Sequence, residues 1–237
     1  MDWMDWWILL PCPLCQRPAK AVFCPDCQRR LQAERLDSWP VTTSPWPLYA
    51  WGIHRGALRR AIYCLKYEGQ RRIGAVLGEW LGSRWLESRQ KRSGSQGSHD
   101  LLSRHDYTVV PIPLHAERLR QRGYNQAALI SQAFCERTGL RHLPDALVRV
   151  RATAAQHELN PLQRQQNLAG AFALKRAPAT PVLLVDDIYT TGSTVQAAQQ
   201  VLVAAGIPVA GVIVVAQAQQ AADRSTLPWQ LRRRGQA

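Results

Sequence analysis

At 237 residues, 46% hydrophobic and 20% charged, the chain can bury a sizeable core and still carry a small accessory unit, which excludes a wholly disordered protein and a large multidomain machine. Thirty Lys and Arg against seventeen Asp and Glu leave a formal charge of +13, an excess that favours anionic partners without choosing between phosphates and nucleic acid. No stretch reaches the roughly 18 consecutive apolar residues of a membrane span, and the start Met1-Asp2-Trp3-Met4-Asp5 lacks the basic region of a secretory signal, so a cytoplasmic location is expected.

Residues 1–45 read as a separate unit. Cys12-x2-Cys15-x8-Cys24-x2-Cys27 gives two chelating knuckles able to place four thiolates on one tetrahedral Zn²⁺. In a reducing compartment such close pairs bind metal more often than they form disulfides. Four thiolates leave no open coordination position, so a zinc bound here would be structural, and so short a unit would need it in order to fold; two disulfides or idle thiols are the other reading. The eight residues between the pairs are fewer than in common zinc ribbons. A Pro-rich stretch, residues 39–47, reads as the linker to a main domain over residues 46–237.

Next, Leu58, Ile62 and Leu65 recur at helical spacing within residues 57–67, as do Ile73, Leu77, Trp80, Leu81 and Trp85 within residues 72–87, with a turn at Gly69. Residues 88 to about 105, rich in Ser, Gly and basic side chains, show no periodicity and read as a mobile loop. Residues 107–110 form a short strand ending at Pro111, and Asn125 caps a helix that runs through Phe134 and stops at Gly139. An unbroken apolar strand at 182–185, a helix from Ser193 to Gly206 and a strand at 209–215 complete the pattern. Continuous Val/Leu/Ile strands alternating with helices specify an α/β fold with a parallel sheet covered on both faces. Cys64 and Cys135, on helices among apolar neighbours, read as small buried hydrophobes.

In such a sheet ligands sit beyond the carboxyl ends of the strands. Strand 182–185 delivers Asp186 and Asp187, and Ile188-Tyr189-Thr190-Thr191-Gly192-Ser193-Thr194 opens the next helix. Backbone N–H groups and hydroxyls at a helix start suit a phosphate. Two carboxylates beside them suit sugar hydroxyls, with Mg²⁺ tying the ligand together. Neither a G-x-x-x-x-G-K-[ST] loop nor a G-x-G-x-x-G after a strand is present, so nucleotide-triphosphate and dinucleotide folds lack their defining residues. Helix capping by Asp187 or Ser193 is the plainer explanation of single residues, but it does not explain the ordered run.

Residues 182–194 resemble the phosphoribosyl pyrophosphate signature of type I phosphoribosyltransferases. Cys12 to Cys27, Leu65-Lys66-Tyr67, Val110-Pro111-Ile112-Pro113-Leu114-His115, Arg122-Gly123-Tyr124-Asn125-Gln126, and Gln156 with Arg164 and Asn167 occur in the order typical of the ComF family, also called GntX-like. The resemblance spans nearly the whole chain. It implies a type I phosphoribosyltransferase fold in which Asp186 and Asp187 hold the ribose hydroxyls, Thr190, Thr191, Gly192, Ser193 and Thr194 bind the 5′-phosphate, and Pro111, Ile112 and Pro113 face the pyrophosphate. Residues 149–167 would be a hood, with Arg151, Gln156 and Arg164 over the substrate. The residues themselves agree, since a long polar segment between strands has the composition of a lid, although a solvated surface loop has it too. By family position Lys66 would neutralise the leaving pyrophosphate; as a lone lysine at a helix end it would equally offset the helix dipole.

The activity so implied is transfer of phosphoribosyl to an unidentified acceptor, with a link to DNA uptake, competence or DNA utilisation. Pyrophosphate would leave the anomeric carbon through a cationic transition state that carboxylates and a dry lid stabilise. The alternative is a non-catalytic phosphoribosyl pyrophosphate sensor. It would bind nucleic acid or a DNA-processing protein through the zinc unit and basic residues such as Arg17, Lys20, Arg29, Arg30 and Arg232 to Arg234. A phosphatase with Asp186 as nucleophile lacks the Asp-x-Asp arrangement.

Overall fold

Four apolar runs and the short polar segment Arg141–His142 line up as one parallel sheet. The computed structural model describes residues 9–43, 46–93, 106–151 and 170–218. An antiparallel pair, β1 (Leu10–Pro11) and β2 (Pro18–Ala19), and helix α1 (Pro25–Gln32) carry the four clustered cysteines. Then follow β3 (Leu48–Ile53), α2 (Gly56–Tyr67), α3 (Arg72–Ser93), β4 (Thr108–Pro111), α4 (Ala116–Arg122), α5 (Gln126–Thr138) and the short β5 (Arg141–His142). An antiparallel pair, β6 (Leu147–Arg149) and β7 (Phe172–Leu174), precedes β8 (Val182–Tyr189), α6 (Ser193–Ala204) and β9 (Val209–Gln217).

The sheet order is β3-β9-β8-β4-β5, and every neighbouring pair is parallel. From β4 the chain moves outward to β5, then returns to the other side of β4 for β8 and continues to β9. Strand order therefore reverses between β4 and β8, which opens a crevice at their carboxyl ends.

Alternate residues of the strands feed two cores. Tyr49, Trp51, Val109, Leu183, Val185 and Ile213 face α2, α3, α5 and the cysteine segment, while Leu48, Ala50, Val110, Leu184, Val212 and Val214 face α6 and the β6–β7 pair. The first face holds two helices in unusually close approach. Gly74, Gly78 and Gly82 of α3 lie against α5; a Cβ at Gly78 would sit 2.2 Å from the Ile130 carbonyl oxygen. Asn125 caps α5 by accepting from Ala127 N–H at 3.0 Å, and Gly139, at φ 74°, ends it, both as the sequence predicts.

The cysteine segment is packed on this first face as well. Phe23 lies 6.0 Å from Trp80, which stacks on Trp51 at 5.1 Å. The Arg84 guanidinium, 5% exposed, donates to the carbonyls of Trp51, Asp37 and Ser38 at 3.1–3.3 Å and covers the Trp39 ring. Val41 N–H donates to Leu48 O and Leu48 N–H to Thr42 O, which fixes this stretch to the start of β3.

Two boundaries differ from expectation. Helix α3 continues through residues 88–93, which polarity had assigned to a mobile loop; Arg, Gln and Lys are good helix formers, and Ser88 Oγ donates to Trp85 O at 2.7 Å. The remainder of that loop, residues 94–105, lies outside the described residues. Strand β8 does not stop at Val185 but carries Asp186 and Asp187 within it, because β9 keeps pairing out to Tyr189↔Gln217. Strand β3 and helix α4 were not anticipated. Among the described residues no helix is long and apolar enough to cross a membrane.

Candidate functional site

Two centres emerge. The first is the cysteine cluster, in which the sulfurs of Cys12, Cys15, Cys24 and Cys27 all lie within 4.8 Å of one another and none is in a disulfide. Backbone turns build both knuckles. Gln16 N–H donates to Cys12 O at 2.8 Å with Gln16 at φ 62°, and Cys24 is the N-cap of α1 with Pro25 at its first position. The Arg17 side chain pulls the Cys15 thiol down to about 6, whereas burial pushes Cys27 upward. Four sulfurs at this spacing can hold a metal ion, since tetrahedral M–S bonds of ~2.3 Å set sulfurs ~3.8 Å apart. Cys64 and Cys135 stand apart from the cluster and are buried, which pushes their thiols up to about 11 and about 12.

The second centre is a cleft of about 780 Å³ at the switch point between β4 and β8. Asp186 and Asp187 enter it from the end of β8. Lys66, in the last turn of α2, pairs with Asp187 at 2.7 Å, with only 18% and 5% of the two side chains exposed. Asp186 is half-buried and accepts from the Asp187 N–H at 2.8 Å. Burial, then the charge of Asp187, pushes its carboxyl up to about 7, with Lys66 pulling the other way.

The loop after β8 turns at Gly192, φ 78°, into α6. A Cβ there would fall 2.3 Å from the Tyr189 hydroxyl, so both the backbone angle and the space require glycine. Thr191 and Ser193 hydroxyls bond at 2.8 Å, the N-cap Gly192 offers no side chain to the first turn of α6, and Thr190 and Thr194 line the cleft. Helix-start N–H groups of this kind are donors for an anion. Opposite β8, the turn after β4 is pinned twice: Ile112 N–H donates to Val185 O at 2.8 Å and Asn125 Nδ2 donates to Ile112 O at 3.0 Å.

Of the residues singled out from sequence, Lys66, Ile112, Pro113, Asp186, Asp187, Thr190 and Thr194 line this one cleft, while Thr191, Gly192 and Ser193 complete the adjoining loop. Pro111 closes β4 beneath it. Arg151 is exposed and is not among the lining residues, and Gln156 and Arg164 lie outside the described residues. Sequence reasoning gave Arg118 no role, Arg122 only a place in a motif, and Arg149 the start of the hood, whereas Arg149 ends strand β6; all three line the cleft. Arg118 and Arg122 sit four apart, the spacing that puts two side chains on one face of α4. Arg149 is 9% exposed with its guanidinium over Phe172, and burial lowers its pKa. The cleft thus combines four cations with an acidic pair, an arrangement suited to an anionic ligand that also carries hydroxyls.

The chain matches no family model. It is 32% identical over 197 residues to the DNA utilization protein YhgH of Salmonella typhimurium, spanning 82% of this chain and 78% of that protein. To competence protein F of Haemophilus influenzae it is 38% identical over 103 residues, 42% of this chain and 45% of that protein. To competence protein ComFC of Streptococcus pneumoniae it is 33% identical over 113 residues, 46% and 47% of the respective chains.

Proposed function

The chain belongs to the ComF family, and on that premise we propose that the cleft binds phosphoribosyl pyrophosphate with Mg²⁺ and transfers its phosphoribosyl group to an acceptor. The observation that carries this reading is the placement of Asp186, Asp187 and the Thr190–Thr194 loop at the end of a single strand, at the switch point, with Lys66 paired to Asp187. The carboxylates accept from the ribose hydroxyls, and the start of α6 receives the 5′-phosphate. Bound Mg²⁺ would neutralise pyrophosphate charge and make it a better leaving group. Lys66, Arg118, Arg122 and Arg149 add positive charge to the same cleft. The acids next to the anomeric carbon stabilise the positive charge that develops as the bond to pyrophosphate breaks. Zinc is the proposed metal of the cysteine cluster, since four thiolates with no open position make a structural site.

The names of the relatives support a role in handling DNA, and the net charge of +13 suits such a partner. That charge also favours a second reading, in which the pocket senses phosphoribosyl pyrophosphate without turning it over. Calorimetric titration of phosphoribosyl pyrophosphate with Mg²⁺ tests the site. Replacing both Asp186 and Asp187 with Asn should weaken binding several-fold, each lost charge-assisted bond being worth roughly 1.5–3 kcal/mol, and equal affinity in a folded double variant refutes the assignment. Pyrophosphate release across a broad acceptor screen separates transferase from sensor.

A further inference from the structure

Helix α2 runs from the cysteine segment to the cleft, and its two ends are held by different parts of the chain. At its N-terminus it has no cap of its own: the N-cap is Arg55, whose side chain makes no capping bond, and no acid stands in the first turn. The capping comes from 23 residues upstream. Glu34, just past α1, accepts from Ala57 N–H through Oε1 and from Leu58 N–H through Oε2, both at 2.9 Å. A carboxylate spanning two of the helix's leading donors satisfies them and complements the positive end of the dipole. The fit is close on every side. A Cβ at Gly56 would lie 2.2 Å from Glu34 Oε1, one at Gly52 would lie 2.7 Å from Glu34 O, and Glu34 O also accepts from Ile53 N–H at 3.0 Å.

In the last turn of α2, the Cys64 thiol donates to the carbonyl of Pro13, inside the first cysteine knuckle, at 3.5 Å. At the C-terminal end, Tyr124 donates its hydroxyl to Leu65 O, and Lys66 reaches Asp187 at 2.7 Å. Rotation or axial slip of α2 would carry Lys66 off Asp187, and the helix's own sequence supplies no N-terminal lock against it.

We propose that Glu34 is a positioning residue for Lys66: by capping α2 from the cysteine segment it sets where the cleft lysine stands, and so ties the anion site to the folded state of the cysteine unit. The role in anion binding rests on the function proposed above, whereas the effect on Lys66 itself does not. The experiment therefore has one arm without ligand. In the full chain, the rate of reductive methylation of Lys66 is followed by peptide mass mapping in wild type, Glu34→Ala and Arg35→Ala. Arg35, next to Glu34 in the chain, is the control, its side chain pairing with Glu87 of α3 and not with α2. Lys66 should react at least five-fold faster in Glu34→Ala and at the wild-type rate in Arg35→Ala; equal rates in all three overturn the proposal. If Glu34→Ala does not fold by circular dichroism, Glu34→Gln, which keeps one acceptor, should give an intermediate acceleration, and none overturns it equally. The second arm measures affinity for inorganic pyrophosphate with Mg²⁺. Glu34→Ala should weaken it at least three-fold, and in a Lys66→Met background it should cost nothing further; additive losses would mean that Glu34 acts on stability alone. A wild-type protein that binds no pyrophosphate sinks the proposed function, and the methylation rates then decide the positioning role on their own.

Discussion

Acidification should weaken ligand binding through a single carboxylate. Asp186 is lifted to about 7, first by burial and then by the charge of Asp187. A group at 7 is about 90% ionised at pH 8 and about 10% at pH 6, so a ligand whose hydroxyls require the charged acceptor loses about tenfold in affinity over that window. Phosphates on the ligand titrate nearby, and the informative quantity is the difference between wild type and Asp186→Asn, in which that contribution cancels. Calorimetry with phosphoribosyl pyrophosphate and Mg²⁺ should give wild-type affinities that fall about one log unit more than those of Asp186→Asn between pH 8 and pH 6. Parallel curves would refute the reasoning. For the empty protein the same shift works the other way. Folded Asp186 keeps its proton up to about 7, while the unfolded chain releases it near 3.8. The contribution to stability is therefore fully present below about 4, falls as pH rises through the window and levels off above 7, and Asp186→Asn should flatten that slope in denaturant titrations.

Three further outcomes are expected. Gly78→Ala drives a methyl into the Ile130 carbonyl; overpacking of about 1–3 kcal/mol should lower the melting temperature by several degrees, and an unchanged transition would contradict the close approach of α3 and α5. Asn125→Ala removes both the α5 cap and the bond to Ile112 O, so it should cost about 1–2 kcal/mol and also weaken pyrophosphate binding, whereas a stability loss with intact affinity would show that the pinned turn does not face the ligand. Stripping metal from the cysteine cluster should free Phe23 from Trp80 and shift tryptophan emission to the red; emission that stays put after metal loss is verified would show that the cysteine segment holds its packing without metal.

What could be read from sequence was what neighbouring residues decide among themselves. Asn125 and Gly139 mark the ends of α5 because capping is local, and Asp186 to Thr194 stand out as one candidate segment because strand, acids and phosphate-type loop are contiguous. The misplaced ends depend on partners. Whether β8 stops at Val185 or Tyr189 is decided by how far β9 accompanies it, and α3 outruns its apolar pattern because polar helix formers extend a helix already anchored on α5. Lys66 could be suspected but its partner could not, since 121 positions separate it from Asp187 and only the return of the chain across the sheet brings them to 2.7 Å. Arg149 was hidden for the same reason: its place over Phe172 and beside the cleft is set by the β6–β7 pairing.

The three carbonyls gathered by Arg84 have a mechanical consequence. Residues 37–42, between α1 and β3, are held to Arg84 at Asp37 and Ser38 and to Leu48 at Val41 and Thr42. The cysteine unit and the cleft therefore behave like the two arms of a bracket, with a fixed span and a fixed heading. Any one partner that touched both arms would have to match a single spacing, set by the carbonyls around Arg84 rather than by the swing of a linker.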